Sequence, residues 1–236
     1  MRASGILLPI SSLPGKYGIG SFSEEAYKFV DFLKDSKQQY WQILPIGPTS
    51  YGDSPYQSFS TYAGNPYFIS LEELIEQGLL TEKECDKVDF GDKIDKVDYE
   101  KLYNGRFKLL KKAYKRSNIR EREEFKKFKD ENQYWLNDYA MFMAIKERFN
   151  GQSFDNWAED IKLRWGYSME YYQNELKEEI EFYKFAQYEF YRQWYKLKKY
   201  ANDNGVKIIG DIPIYVAYDS ADVWSHPELF QMDDKG

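Results

Sequence analysis

The chain has 236 residues, of which 42% are hydrophobic and 31% are charged, so it is long enough to bury a core and too apolar for a disordered chain. Its 33 basic and 39 acidic residues give a net charge of -6, so the composition implies no electropositive surface large enough to bind nucleic acid, although local basic patches stay open. No stretch approaches the roughly eighteen consecutive apolar residues that span a bilayer. The single cysteine, Cys85, cannot form a disulfide within the chain, and a reducing cytoplasm is the expected location.

Aromatic side chains are unusually frequent, at 19% of the residues, with 22 Tyr, 16 Phe and 6 Trp. Sugar-binding proteins often have this composition, because the apolar face of a sugar lies well against an aromatic ring. Densely packed helical cores also have it. Composition alone therefore leaves both interpretations open.

The first fifty residues predict a strand, a helix and a second strand. The apolar run GILLPI at 5–10 and the run QYWQILPI at 39–46 are short, bounded by turn residues and typical of buried strands. Between them, Ser21 precedes Glu24 at the spacing of a capping box, and an amphipathic helix follows. This order predicts a βαβ unit with two parallel strands.

The middle of the chain is charged, aromatic and helical, and it has no comparable strand signal. We expect helices in 71–80, 97–117 and 176–204, and one or two helices in 120–151. The charge run REREEFKKFK is typical of a solvated helix face. The sequence therefore predicts a large helical insertion after the second strand.

A third buried strand is predicted for the segment VKIIGDIPIYV at 206–216. Asp211 follows the apolar residues VKIIG, near the end of parallel strands where ligands usually bind. A helix cap or a loop ion pair would explain this aspartate equally well. The residues by themselves leave the two interpretations open.

Three blocks of the sequence resemble the opening of the amylomaltase or plant disproportionating-enzyme family, the 4-α-glucanotransferases of glycoside hydrolase family 77. The blocks are SGILLPISSLPGKYGIG, YWQILPIGPTSYGDSPYQSFSTYAGNPYFISL and GDIPIYVAYDSADVWSHPELF, in that order. The likeness runs through the whole chain but is concentrated in these blocks. Pro9 departs from the common pattern, since many members have histidine there.

The resemblance implies an α/β fold, namely the N-terminal part of a (β/α)8 TIM barrel with a large helical insertion between strands 2 and 3. It also implies where the parts of the chain begin and end: a first βαβ part at 1–50, an active-face loop at 51–69, a mainly helical inserted subdomain at 70–174, and the barrel helix with the third strand and its loop at 175–236. The rest of the barrel is expected after Gly236.

Four residues of this chain match substrate-binding positions of the family. Tyr56 resembles the tyrosine that stacks on the sugar at the cleavage point, and Ser54 resembles a hydroxyl that contacts the glucan nearby. Tyr51 resembles an aromatic residue of a secondary glucan site, and Asp211 resembles a supporting aspartate in the sugar site. Pro55 restricts Ser54 to extended conformations and stiffens this loop. Without the resemblance, Tyr56 would be read as ordinary loop packing, and Trp224 and His226 are in any case expected only to organise the loop after the third strand.

The activity that the resemblance implies is the transfer of 1,4-α-glucan segments with retention, acting on maltooligosaccharides and without a metal or organic cofactor. Retention needs two carboxyl groups about 5 Å apart. In the family both lie on later strands, so we expect no catalytic residue within 1–236, and Asp53, Asp219 and Asp222 are not assigned that role. A non-catalytic α-glucan-binding fragment and an α-glucan hydrolase of the same clan remain the alternatives.

Overall fold

Three short parallel strands form the sheet of the protein, which is seen in a computed structural model that describes residues 2–93 and 95–232. The strands are β1 (Gly5–Leu7), β2 (Tyr40–Gln42) and β3 (Lys207–Ile209), and β2 lies in the centre. Ile6 pairs with Trp41, which in turn pairs with Ile208. The predicted βαβ unit and the position of the third strand are confirmed.

Helices lie between and after these strands along the chain. They are α1 (Glu24–Asp35), α2 (Leu71–Glu76), α3 (Glu82–Cys85), α4 (Tyr99–Arg116), α5 (Glu123–Glu131), α6 (Gln133–Arg148), α7 (Glu159–Lys162), α8 (Gly166–Glu175), α9 (Lys177–Asp203) and α10 (Ala221–Ser225). Each predicted helix is present, and the segment 120–151 forms two of them. The sequence pattern does not indicate α3, α7, α8 and α10, because three of these have only four or five residues and α8 buries only Ser168.

The predicted start of α1 is wrong. The residue before the helix is Ser23 rather than Ser21, its side chain makes no capping hydrogen bond, and Glu24 is already the first helical residue. The helix nevertheless buries the expected apolar face. Its Phe29 ring meets the ring of Trp41 edge-on at 5.0 Å, so α1 is held against the central strand.

All three strands are shorter than predicted, and β1 and β3 contain no buried residue although buried strands were expected. The difference is largest for the third strand. It ends at Ile209, and beyond it Ile212 and Ile214 are 81% and 87% exposed rather than buried. Pro213 has no backbone N–H to donate to a neighbouring strand, so it is unsuited to the interior of a ladder. Leu7 of β1 is also exposed, so both outer strands present apolar side chains.

The chain divides into two compact units. Unit 1 comprises residues 1–46, 64–119 and 188–212, and it contains the sheet. Unit 2 comprises residues 47–63, 120–187 and 213–236, described as far as residue 232. The helical middle of the chain thus contributes residues to both units. The segment boundaries expected from the sequence stay predictions.

Aromatic side chains form much of the core of unit 2. The ring of Phe142 lies 5.5 Å from that of Trp157 and 5.8 Å from that of Trp224. Trp224 is buried, and its Nε1 donates a hydrogen bond of 3.1 Å to the Ile161 carbonyl. The high aromatic content therefore serves packing here, which is one of the two roles that composition left open.

The close approach of Gly64 to Phe190 within unit 1 yields a prediction. A Cβ at position 64 would lie 2.1 Å from ring carbons of the buried Phe190. We expect Gly64→Ala to destabilise the intact protein by about 1–3 kcal/mol through overpacking. Gly166→Ala is the matched control, because a Cβ there meets no atom within 4 Å. Thermal unfolding of both variants checks this, and equal melting temperatures would contradict it.

Candidate functional site

The loop after β2 carries three of the four predicted substrate-binding residues. Thr49 and Ser58 form an antiparallel bridge, and the Ser50 amide donates to the Gln57 carbonyl at 3.1 Å. These bonds close the base of the loop, which we call the 51–56 loop. Its residues are held between two paired segments of backbone.

The turn inside the loop depends on a left-handed backbone. The residues Tyr51–Asp53 make one turn of 3-10 helix, with Gly52 at a φ of 77° and Asp53 at 54°. Ser54 then becomes extended, with φ -73° and ψ 130°. This is the conformation that a following proline imposes, so the predicted restriction of Ser54 to an extended conformation agrees with the structure, and the stiffening of the loop stays a prediction.

Ser54 and Tyr56 are brought together by this turn. The Tyr56 amide donates to the Ser54 Oγ at 3.3 Å, and the Gln57 amide donates to the Ser54 carbonyl at 3.2 Å. The Tyr56 side chain is 46% exposed, whereas Ser54 is half-buried. An exposed ring on a short, bonded turn is suited to stack on the apolar face of a ligand.

The other two candidates are placed less completely. The backbone of Tyr51 begins the 3-10 turn, but its side chain lies outside the described part of the chain. Asp211 follows β3 after Gly210, is half-buried and belongs to unit 1. It therefore lies at the carboxyl end of a parallel strand, as predicted.

Bonds from the segment after β3 hold the base of the 51–56 loop. Within unit 2, the Ala217 amide donates to the Ser58 carbonyl at 3.0 Å, and the Ala221 amide donates to the Phe59 carbonyl at 2.8 Å. No local pattern in the sequence indicates these contacts. They join residues that are far apart along the chain, so no short stretch of the sequence predicts them.

Asp222 makes a further long-range bond to the same segment. Its Oδ2 accepts from the Thr61 amide at 2.6 Å and from the Thr61 hydroxyl at 2.9 Å, across 161 residues. A carboxylate that accepts two hydrogen bonds fixes the residue that donates them. This explains the role of Asp222 without any part in catalysis.

Trp224 and His226 have structural surroundings. Trp224 belongs to the unit 2 core described above, and the Arg164 guanidinium lies 4.3 Å from the centre of its ring. His226 is exposed, and its Nδ1 lies 3.0 Å from Glu228 Oε1. Both contacts agree with a role in organising the chain after β3.

Unit 1 has a cavity that none of the four candidate residues lines. Its volume is about 1110 Å³, and the segments that line it are the loop after β1, the start of α1, α2 and the loop before α4. The loop after β2 does not contribute to this cavity. Among the described residues, no three His, Cys, Asp or Glu side chains cluster as metal ligands, and no helix has the length and apolarity of a membrane span.

Comparison with known proteins decides the family. The family model described as 4-alpha-glucanotransferase, glycoside hydrolase family 77, matches residues 8–236. The chain belongs to this family. It is 54% identical to a 4-alpha-glucanotransferase of Clostridium butyricum over 94% of the chain and 45% of that protein, and 52% identical to one of Streptococcus pneumoniae over 100% and 47%.

A solved structure of the family has the same fold. The amylomaltase from Streptococcus agalactiae in complex with acarbose superposes with a TM-score of 0.94 and 44% identity, over 100% of this chain and 48% of that one. The chain therefore spans about half the length of the 4-alpha-glucanotransferases that it matches. The resemblance inferred from the three sequence blocks is confirmed.

The hydrogen bonds from Thr61 to the Asp222 carboxylate yield a prediction about stability. We expect Asp222→Ala to lower the free energy of unfolding of the intact protein by about 1–2 kcal/mol, because two charge-assisted hydrogen bonds are lost. Asp222→Asn is the control, since its amide oxygen still accepts from Thr61 and the loss should be smaller. Urea unfolding measures both, and equal losses would contradict the prediction.

The pKa of Asp53 gives a second test. Burial raises the pKa of this carboxyl above its ordinary value of 3.8, so the folded state holds the proton more tightly than the unfolded chain. The contribution of Asp53 to the free energy of unfolding therefore falls as the pH rises from the pKa of the carboxyl in the unfolded chain through its pKa in the folded protein. We expect Asp53→Asn to raise the melting temperature at pH 7 and to raise it less at pH 4.

Asp53→Ala separates charge from backbone conformation in the same experiment. Asparagine tolerates the left-handed φ of this position, whereas alanine does not. We therefore expect the alanine variant to melt below the asparagine variant at both pH values. A gain from Asp53→Asn that is independent of pH would contradict the charge explanation.

Proposed function

We propose that this chain acts as the N-terminal part of a 4-alpha-glucanotransferase, which transfers segments of 1,4-alpha-glucan to glucose or a maltooligosaccharide with retention. The observation that carries the proposal is the family match over residues 8–236, together with the fold shared with an amylomaltase. The Streptococcus agalactiae enzyme has been solved in complex with acarbose. A cytoplasmic location goes with this proposal.

The fold proposed for the working protein is a (β/α)8 barrel, to which β1, β2 and β3 contribute the first three strands. Their parallel pairing in sequence order is the arrangement that a barrel repeats around its axis. The exposed apolar side chains of β1 and β3 are suited to be covered by further structure. The inserted subdomain at 70–174 would separate the second strand from the barrel helix and third strand at 175–236.

The residues proposed to bind sugar follow the second and the third strand along the chain. Tyr56 would stack on the sugar where the bond is cut, and Ser54 would contact the glucan beside it. Tyr51 would belong to a secondary glucan site, and Asp211 would support the sugar after β3. The exposure of the Tyr56 ring and the bonded turn that carries it support this assignment.

The residues of this chain would bind and orient the glucan rather than react with it. Retention requires a nucleophilic carboxylate and an acid/base carboxyl about 5 Å apart. We assign neither the nucleophile nor the acid/base carboxyl to any residue of this chain. A loop already held in its bound conformation loses less entropy on binding, so more of the binding energy is available for the reaction.

Tyr56→Ala in the intact protein tests the proposed site. With maltotriose as the only substrate, the wild-type protein should produce glucose together with maltotetraose and longer glucans. Loss of a stacking contact of about 1–2 kcal/mol should lower kcat/KM roughly tenfold. Tyr195→Ala on α9 is the matched control, because that ring is also exposed, at 57%.

The products also separate the alternatives. Release of maltose and glucose alone would replace transfer by hydrolysis. Unchanged maltotriose with saturable binding of maltoheptaose would leave a non-catalytic glucan-binding protein. An active Tyr56→Ala variant with the kcat/KM of the wild type would remove Tyr56 from the site while leaving the proposed activity intact.

A further inference from the structure

Unit 2 contains an ion pair that is almost completely buried. Lys146 on α6 and Asp219 in the segment after β3 are only 5% and 7% exposed, and the Lys146 Nζ donates to the Asp219 Oδ2. Burying two charges loses their hydration, so such a pair contributes little net stability compared with apolar side chains of similar size. Its presence calls for a reason other than stability.

Further contacts fix the orientation of both side chains. The Asp219 Oδ1 accepts a hydrogen bond of 3.1 Å from the Phe154 amide, and the Lys146 Nζ also donates to the Gln152 carbonyl at 3.2 Å. The ammonium lies 5.3 Å from the ring centre of Phe59, which belongs to the segment that follows the 51–56 loop. The aspartate is therefore held in one place and one orientation.

Asp219 lies midway between the two amides that hold the base of the 51–56 loop. Ala217 and Ala221 are two residues before and two residues after it, and they donate to the carbonyls of Ser58 and Phe59 at 3.0 and 2.8 Å. Holding Asp219 in place therefore restricts the movement of the Ala217 and Ala221 amides. A displacement at Asp219 would reach the loop base through these two bonds.

The base of the loop is close to the residues that it positions. Ser58 follows Tyr56 by two residues, and it pairs with Thr49 on the other side of the loop. With both ends of the 51–56 loop bonded, its turn has little freedom to move independently. The position of Tyr56 therefore depends on the position of Ser58.

We infer that Lys146 and Asp219 are positioning residues for the 51–56 loop, and that they hold the Tyr56 ring where a glucan stacks. The inference rests on the proposed function for its effect on activity. Its structural half, the ordering of the loop base by the ion pair, does not depend on that function. The two halves are therefore measured separately.

The double variant Lys146→Met/Asp219→Leu tests the inference in the intact protein. It removes both charges together and leaves no charge buried without a partner, but the Phe154 amide loses its acceptor, so we expect a melting temperature only moderately below that of the wild type. We expect kcat/KM for maltotriose to fall between about tenfold and a hundredfold, since a small misplacement of a binding group has such effects. Amide hydrogen exchange at Ala217 and Ala221 should become at least about tenfold faster, because an anchored amide loses its protection when the segment opens more often.

Lys129→Met/Glu181→Leu is the matched control. This pair also lies in unit 2, with Lys129 Nζ 3.1 Å from Glu181 Oε2, but it makes no bond to the segment after β3 among the contacts described. The control should leave kcat/KM and the exchange of Ala217 and Ala221 unchanged. Asp219→Asn is the conservative variant, because its single amide oxygen keeps one of the two acceptors that serve Lys146 and the Phe154 amide. We expect it to retain more of the protection than Asp219→Leu.

The outcomes separate this inference from the proposed function. A double variant with wild-type kcat/KM and wild-type exchange would overturn the inference. Faster exchange in a protein whose wild type does not transfer glucan would support the ordering of the loop and reject the proposed function. If the double variant does not fold, the comparison of Asp219→Asn with Asp219→Leu decides, and equal exchange in these two variants would overturn the inference.

Discussion

An ammonium and a carboxylate removed from water must satisfy each other, and in unit 2 this requirement falls on Lys146 and Asp219. Both are more than nine-tenths buried, so neither can be moved without leaving a charge in an apolar environment. The aspartate also accepts from the Phe154 backbone. The Ala217 and Ala221 amides nearby donate to the Ser58 and Phe59 carbonyls. The position of the 51–56 loop therefore depends on an ion pair that lies outside the loop.

Unit 1 contains a comparable arrangement on α4. Arg106 of α4 is fully buried, donates to the Tyr17 carbonyl at 3.2 Å and also bonds the Ile69 carbonyl. Burial lowers the pKa of this guanidinium to about 10, which still leaves it charged at neutral pH. In each unit, a long basic side chain from a helix therefore bonds a backbone carbonyl of a loop, that of Tyr17 in unit 1 and that of Gln152 in unit 2.

The candidate loop was predicted from the sequence where its conformation is local. Pro55 forces Ser54 to be extended, and the structure shows that conformation. The start of α1 and the length of the third strand were predicted less well. A capping spacing does not ensure that the serine side chain turns toward the helix. The apolar residues around Pro213 have the composition of a strand although they follow Ile209, the last residue of β3 that pairs with β2.

The sequence by itself determined the parallel βαβ order, the main helices and the family, because these follow from periodicity, turn residues and motifs within short stretches of chain. Tertiary structure alone decided which side chains hold the candidate loop. Lys146 and Asp219 are separated by 73 residues, and Thr61 and Asp222 by 161. Such pairs leave no periodic signal in the sequence, since their partners meet only when the chain has folded and water has been excluded from between them.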